Sequence, residues 1–92
     1  MVFHKKYVEE DSIVEMKVWQ VPVSDKQPLG YKYSLYWTKD GIVLVGYDNH
    51  HPKGPHKHFK DQEEPYEFST LEKLVSDFEQ DRRRIKNEDK KN

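Results

Sequence analysis

The chain has 92 residues, enough for one hydrophobic core and too few for a second domain. Charged residues make up 36 % and the hydrophobic set only 34 %, but six Tyr, four Phe and two Trp concentrate the apolar share in large rings, which argues against a disordered chain. The absence of Cys excludes a disulfide framework, a thiol nucleophile and a Cys-based zinc site, and a net charge of −1 leaves any polyanion-binding role to a local patch.

Taken in chain order, Phe3 to Val8 reads as a first strand and Glu9-Glu10-Asp11 as a turn. From Ser12 to Val21 the pattern has period two: Val14, Met16 and Val18 share one face while Glu15 and Lys17 point the other way. Pro22 and the stretch from Ser24 to Pro28 end that strand. Between Leu29 and Thr38, Tyr31, Tyr33, Leu35 and Trp37 share one face, and Lys32, Ser34 and Tyr36 the other. Asp40-Gly41 is a hairpin signal, because both residues tolerate the positive φ of a two-residue turn. Ile42 to Tyr47 reads as a central strand, with Gly46 marking a bulge or a close approach. Residues 48–55 form a Pro/Gly loop, and residues 56–59 a short strand with His56 and His58 on one face and Lys57 and Phe59 on the other. Pro65 to Phe68 leads into a helix capped by Ser69, with Glu72 completing a capping box. Leu71, Leu74, Val75, Phe78 and Ile85 then follow helical spacing.

The expected architecture is a single α+β domain over residues 1–86, followed by a charged, frayed tail at 87–92. It is an antiparallel meander of four to five strands with one long C-terminal helix packed on a face. The helix's apolar stripe meets either the Val14/Met16/Val18 face or the Tyr31/Leu35/Trp37 face. Trp19 and Trp37 are expected in the core. The longest apolar run, Ile42 to Val45, falls far short of the ~20 residues of a bilayer crossing. No long apolar segment of a signal peptide is visible at the N-terminus. The expectation is a cytoplasmic protein with no membrane partner.

Charge is uneven along the chain: residues 1–60 hold nine Lys against seven acids, whereas residues 61–92 are net acidic. The sharpest feature is HHPKGPHKHFK at 50–60, with four of the five His, three Lys and no acid. With the preceding GYDN it offers Tyr47, Asp48, Asn49, Lys53, His56 and His58 at the end of a central strand. Imidazoles exchange protons near neutral pH, and a lysine neutralises charge developing on a phosphate. Cleavage of RNA through its 2′-hydroxyl needs a base, an acid and a cation, without a metal or other cofactor. A second reading gathers His50, His51, His56 and His58, with Asp48 or Asp61, around Zn²⁺, although the spacing matches no standard zinc motif and Lys53 and Lys57 would repel a cation. The run Arg82-Arg83-Arg84 with Lys86 lies among Glu79, Asp81, Glu88 and Asp89 and reads as a solvated, salt-bridged helix face rather than a phosphate grip.

GYDN at 46–49, KGPHKH at 53–58, EEPYEF at 63–68 and the LxxLVxDFxxD run from Leu71 to Asp81, together with VEMKVWQVP at 14–22 and LGYKYSLYW at 29–37, resemble the TumE family, toxins of prokaryotic toxin–antitoxin systems. The likeness spans residues 10–82; the sequence departs from Arg83 onward. It implies a cognate antitoxin that neutralises this protein by direct binding and carries a DNA-binding part. The family-like positions are Gly46, Tyr47, Asp48, Asn49, Lys53, Gly54, His56, His58, Pro65, Tyr66 and Phe68. His50, His51 and Pro52 fall where variation is expected, which counts against a metal site built on His50 or His51.

The expected function is therefore a toxin acting on RNA as a metal-independent endoribonuclease. His56, His58, Lys53 and Asp48 are the expected catalytic residues, and Tyr47, Asn49, Gly54 and Tyr66 position the substrate. The alternatives are a non-enzymatic module that pairs with a DNA-binding protein or blocks a cellular target, and a His-based metal-dependent hydrolase. The thin core and open sheet edges also make a homodimer an expected partner state.

Overall fold

Six strands and one helix account for most of the chain, and a computed structural model describes residues 2–50 and 52–90. His51, one of the candidate metal ligands, and residues 91 and 92 of the expected tail lie outside the described residues. The strands are β1 (Phe3–Glu9), β2 (Ser12–Gln20), β3 (Tyr31–Lys39), β4 (Ile42–Asp48), β5 (His56–Phe59) and β6 (Gln62–Pro65), and the helix is α1 (Leu71–Lys90). All six strands pair with their sequence neighbours, antiparallel throughout, in the order β1-β2-β3-β4-β5-β6.

The turns follow from local chemistry. Asp40 and Gly41 both adopt positive φ, 53° and 76°, so β3 and β4 are joined by the Asp-Gly turn the sequence calls for. Lys60, at φ 58°, turns β5 back into β6. This last strand, QEEP, is a sixth beyond the four or five expected; it carries no apolar alternation, and its residues are all exposed.

Register decides which residues share a face. Val14, Met16 and Val18 lie opposite Trp37, Leu35 and Tyr33, so the two candidate helix-facing sets are one face. That face continues through Val45 and Tyr47 to Phe59 and Lys57. Leu74, Phe78 and Ile85 of α1 close over it, and with them these side chains, Lys57 and Phe59 aside, form the buried core. Removing this apolar surface from water is the main force holding helix to sheet. The helix cap lies one residue later than expected: the Thr70 hydroxyl, not Ser69, accepts the Lys73 N–H at 3.1 Å. The helix also continues past Lys86 to Lys90.

Two aromatic and basic residues depart from expectation. Arg82 is buried, not solvated: it is 2 % exposed. Its guanidinium stacks 5.1 Å from the Trp37 ring and pairs with Glu9 at 3.0 Å and Glu79 at 2.7 Å. An arginine engaged on three sides in this way is part of the helix–sheet joint. Trp19 is not in the core. It sits half-buried on the opposite face, with the Lys32 ammonium 5.7 Å from its ring.

The face away from the helix carries Glu15, Lys17, Lys32, Ser34, Tyr36, Asp48, His56, His58 and Glu63, in mutual register. No secondary-structure element covers it among the described residues. The sheet therefore has one greasy, structural side and one polar, open side.

Candidate functional site

The polar side is organised around the last residue of β4. Asp48 lies opposite His56 on β5, and two pairs along, on the same face, Gly46 lies between Tyr36 on β3 and His58 on β5. Gly46 has a steric purpose here: a Cβ at this position would stand 2.4 Å from Cε1 of Tyr36. The missing side chain lets the tyrosine ring lie across β4, and its hydroxyl reaches the Asp48 carboxylate and donates to it. Burial first, and then this bond to a carboxylate, push the Tyr36 hydroxyl well above its ordinary pKa, so it remains a proton donor. The expected bulge exists too, but at Leu44, the extra residue opposite the Trp37–Thr38 step.

His56 is held from both sides. Its Nδ1 lies 2.8 Å from the carbonyl oxygen of Gly54, and its Nε2 lies 3.2 Å from Oδ1 of Asp48. The same Oδ1 accepts the backbone N–H of His50 at 3.1 Å. Gly54, at φ +73°, takes a turn conformation that glycine adopts freely, and this aims its carbonyl at the ring. His58 stands edge-on to His56, ring centroids 5.2 Å apart, and 6.3 Å from the Tyr36 ring. The His56 residue is 7 % exposed, whereas the His58 side chain is 28 % exposed and forms the outer rim.

The acid-free segment at 50–60 acquires its counter-charge from elsewhere in the chain. Glu63, brought opposite His58 by the β5–β6 hairpin, accepts a 2.7 Å bond from the Lys53 ammonium. It also lies 3.9 Å from Nε2 of His56 and 3.9 Å from Nδ1 of His58. The hydrogen bond from Lys53 is the main cause holding the Glu63 carboxyl below its ordinary value. Asp48, His50, Pro52, Lys53 and His56 line a hollow of ≈ 300 Å³ at this rim.

The sequence-derived candidates thus divide. Asp48, Lys53, Gly54, His56 and His58 come together on the open face. Tyr47 does not join them, because adjacent strand residues point to opposite faces. Its hydroxyl donates to Asp81 of α1 at 2.5 Å, and Tyr66 packs beside it, donating to Asp77 at 2.6 Å. Asn49 is buried, and its amide is occupied by the backbone: Oδ1 accepts the Tyr33 N–H at 3.0 Å and Nδ2 donates to the Tyr31 carbonyl at 2.7 Å. It clamps the start of the His loop to β3.

Tyr36 and Glu63 are the two members of the cluster that sequence reasoning did not single out. Tyr36 was legible only as part of a polar strand face, and Glu63 required the unanticipated sixth strand. The donor set also differs from the metal site that the sequence suggests. Asp48, His56 and His58 present ligand atoms all within 4.8 Å of one another, without His50 or Asp61. Lys57 is on the other face, beside Asp81, and Lys53 is engaged by Glu63, so the expected cation repulsion is weaker than the sequence suggests.

No curated protein and no solved structure matches the chain. A family model does match: Toxin TumE, over residues 2–87, nearly the whole length. No helix among the described residues is long and apolar enough to cross a membrane. The motifs that suggested a resemblance are the ones the fold uses: GYDN ends the central strand at the cluster, KGPHKH supplies its imidazoles and ammonium, and EEPYEF supplies Glu63 on one face and Tyr66 on the other. The chain belongs to the TumE toxin family, which implies a toxin role in a toxin–antitoxin module and an antitoxin as its partner.

Proposed function

We infer that this toxin acts on RNA in the cytoplasm as an endoribonuclease that needs no metal, with the open-face cluster as its working site. The observation that carries this reading is the meeting of two imidazoles, 5.2 Å apart between ring centroids, with a lysine ammonium and a carboxylate on one uncovered face. Cleavage through the 2′-hydroxyl needs three groups. One accepts the hydroxyl proton as the 2′-oxygen attacks phosphorus; one protonates the departing 5′-oxygen; one balances the charge that builds on the phosphate oxygens between those events.

His58, the more accessible ring, takes the 2′-hydroxyl proton. His56 delivers the proton to the leaving oxygen from Nε2, which exchanges the Asp48 carboxylate for that oxygen while Nδ1 keeps its hydrogen on the Gly54 carbonyl. In the resting site both of its nitrogens face acceptors, the Gly54 carbonyl at Nδ1 and the Asp48 carboxylate at Nε2. Lys53 exchanges Glu63 for the phosphate. Asp48 orients His56, and is itself held by the Tyr36 hydroxyl and the His50 N–H. Gly54 fixes the ring from the other side, and Asn49 ties down the loop. Tyr47 and Tyr66 act from beneath, by anchoring β4 and the start of the helix segment. The products are a 2′,3′-cyclic phosphate and a 5′-hydroxyl. An antitoxin that covers the open face would silence all of these groups together, and its DNA-binding part would sit outside that contact.

The experiment is incubation of purified toxin with end-labelled RNA in EDTA. Cleavage persists, leaves cyclic-phosphate ends, and falls by roughly 10²–10⁴-fold in His58→Gln, the usual worth of one general acid–base group. Lys53→Ala lowers it as well. Loss of cleavage in EDTA would point instead to a metal-dependent hydrolase. No cleavage of any RNA by a toxin that still binds its antitoxin would leave a non-enzymatic docking protein.

A further inference from the structure

The geometry points to a second property of the same face: a three-ligand site for a borderline transition-metal dication of the Zn²⁺ class, formed by Asp48, His56 and His58. His56 has two acceptors and one neutral ring to satisfy them. A carbonyl oxygen only accepts, so the 2.8 Å contact with Gly54 requires the hydrogen to be on Nδ1. In the neutral ring Nε2 then presents a lone pair to a carboxylate oxygen 3.2 Å away. Two acceptors at that distance need a positive centre between or beside them, and a dication serves as well as a proton.

Zinc bonds to imidazole nitrogen and carboxylate oxygen run about 2.0–2.1 Å, which puts tetrahedral ligand atoms about 3.3–3.4 Å apart. The His56–Asp48 separation, 3.2 Å, already matches that edge. The full set lies within 4.8 Å, so one ligand moves inward by at most about 1.5 Å to meet the same edge. His58 can do so, because it lies at the rim and is 28 % exposed.

Histidine ligands to a metal usually donate the other ring N–H to a carbonyl or carboxylate, and ligating carboxylates are themselves hydrogen-bonded. Gly54 provides the first, and Tyr36 with the His50 N–H provides the second. Glu63, 3.9 Å from a nitrogen of each histidine, stands where a fourth ligand or a metal-bound water would be met. Two imidazoles with one carboxylate suit zinc and its neighbours, whereas Mg²⁺ and Ca²⁺ favour all-oxygen shells. This inference rests on the cluster's geometry and not on RNA cleavage. Where cleavage does occur, a bound dication occupies the lone pairs that would move protons, so it acts as an inhibitor.

The test is a direct titration of chelator-treated, full-length protein with Zn²⁺, read by competition with a chromophoric chelator and by thermal melting. The expected result is one saturable site per chain and a melting temperature raised by Zn²⁺. Asp48→Asn and His58→Gln weaken binding by at least about 10-fold, and Tyr36→Phe, which alters only the surrounding shell, by about 10-fold. His4→Gln and the double variant His50→Gln/His51→Gln bind like the parent. Circular dichroism separates lost ligands from lost fold, and His58, at the rim, is the variant least exposed to that ambiguity. The proposal is overturned by the absence of saturable binding. It is equally overturned if the Asp48 and His58 variants retain full affinity, if affinity follows His50 and His51, or if Mg²⁺ competes on equal terms. Because the readout is binding, failure here leaves the RNA proposal standing, and failure of RNA cleavage leaves this one standing.

Discussion

At the scale of single residues, the open-face cluster depends on a glycine that brings no side chain to it. Gly46 makes room for Tyr36, and Tyr36 in turn holds the Asp48 carboxylate that holds His56. A methyl group at position 46 would have to push back a ring whose nearest carbon stands 2.4 Å from the new Cβ. Overpacking of this kind costs about 1–3 kcal/mol. Gly46→Ala is therefore expected to lower the unfolding free energy, measured in urea, by that amount. In a Tyr36→Ala background the clash is gone, and the same change becomes neutral or mildly stabilising, since glycine is a poor strand residue. Equal losses in both backgrounds would show that the ring is not what the glycine accommodates. The sequence made Gly46 visible as a close approach but left open what approached it. Strand periodicity names the face of Tyr36, while only the register of β3 on β4 puts that ring over position 46.

At the scale of elements, how much could be read in advance follows the strength of local signals. The Asp-Gly turn, the alternation in β2 and β3 and the 3.6-residue stripe of α1 are carried by the residues themselves. β6 is not legible in advance because QEEP has neither apolar alternation nor β-branched residues. It is a strand because Lys60 turns the chain back beside β5. The acid-free appearance of the His segment was misleading for the same reason: its counter-ion Glu63 arrives through that hairpin. The helix is joined to the sheet by polar as well as apolar contacts, and one of them makes a pH prediction. Burial raises the Asp77 carboxyl, but bonds from the Tyr66 hydroxyl and the Lys73 ammonium outweigh it, and the net effect is a value below the ordinary 3.8. A carboxyl depressed by folding contributes stability that is complete above its unfolded pKa and disappears as pH falls through its folded pKa. The contribution is thus full near pH 6 and fades below about pH 4. Asp77→Asn lacks it throughout, so the parent's advantage in chemical denaturation should shrink as pH is lowered from 6 to 2.5. An advantage that stays constant or grows over that interval would show that Asp77 is not held ionised by these partners.

For the molecule as a whole, the central fact is the division of labour between two faces of one thin sheet. The helix side gathers the buried aromatic and aliphatic residues and seals polar joints such as Tyr47–Asp81 and Arg82–Glu79. The other side carries imidazoles, carboxylates and an ammonium, with no secondary-structure element over them among the described residues. Because neighbouring strand residues alternate between these sides, Tyr47 and Asp48 are adjacent in sequence and belong to different systems. Substitutions one residue apart in a strand should then separate stability from toxicity. Tyr47→Phe removes the hydroxyl that donates to Asp81, a carboxylate on a residue only 5 % exposed. A lost hydrogen bond to a buried charged group costs about 1.5–3 kcal/mol, so the urea midpoint falls. Growth arrest on expression without antitoxin should persist at any temperature where that variant is folded. His58→Gln alters a rim side chain, changes stability by no more than about 0.5 kcal/mol, and abolishes arrest. The two-face account would be wrong if Tyr47→Phe abolished arrest with its midpoint unmoved, or if His58→Gln cost as much stability as Tyr47→Phe. In the first case chemistry would reach through the sheet to the helix side. In the second, the open cluster would be a structural knot, and the toxic surface would have to lie elsewhere on the molecule.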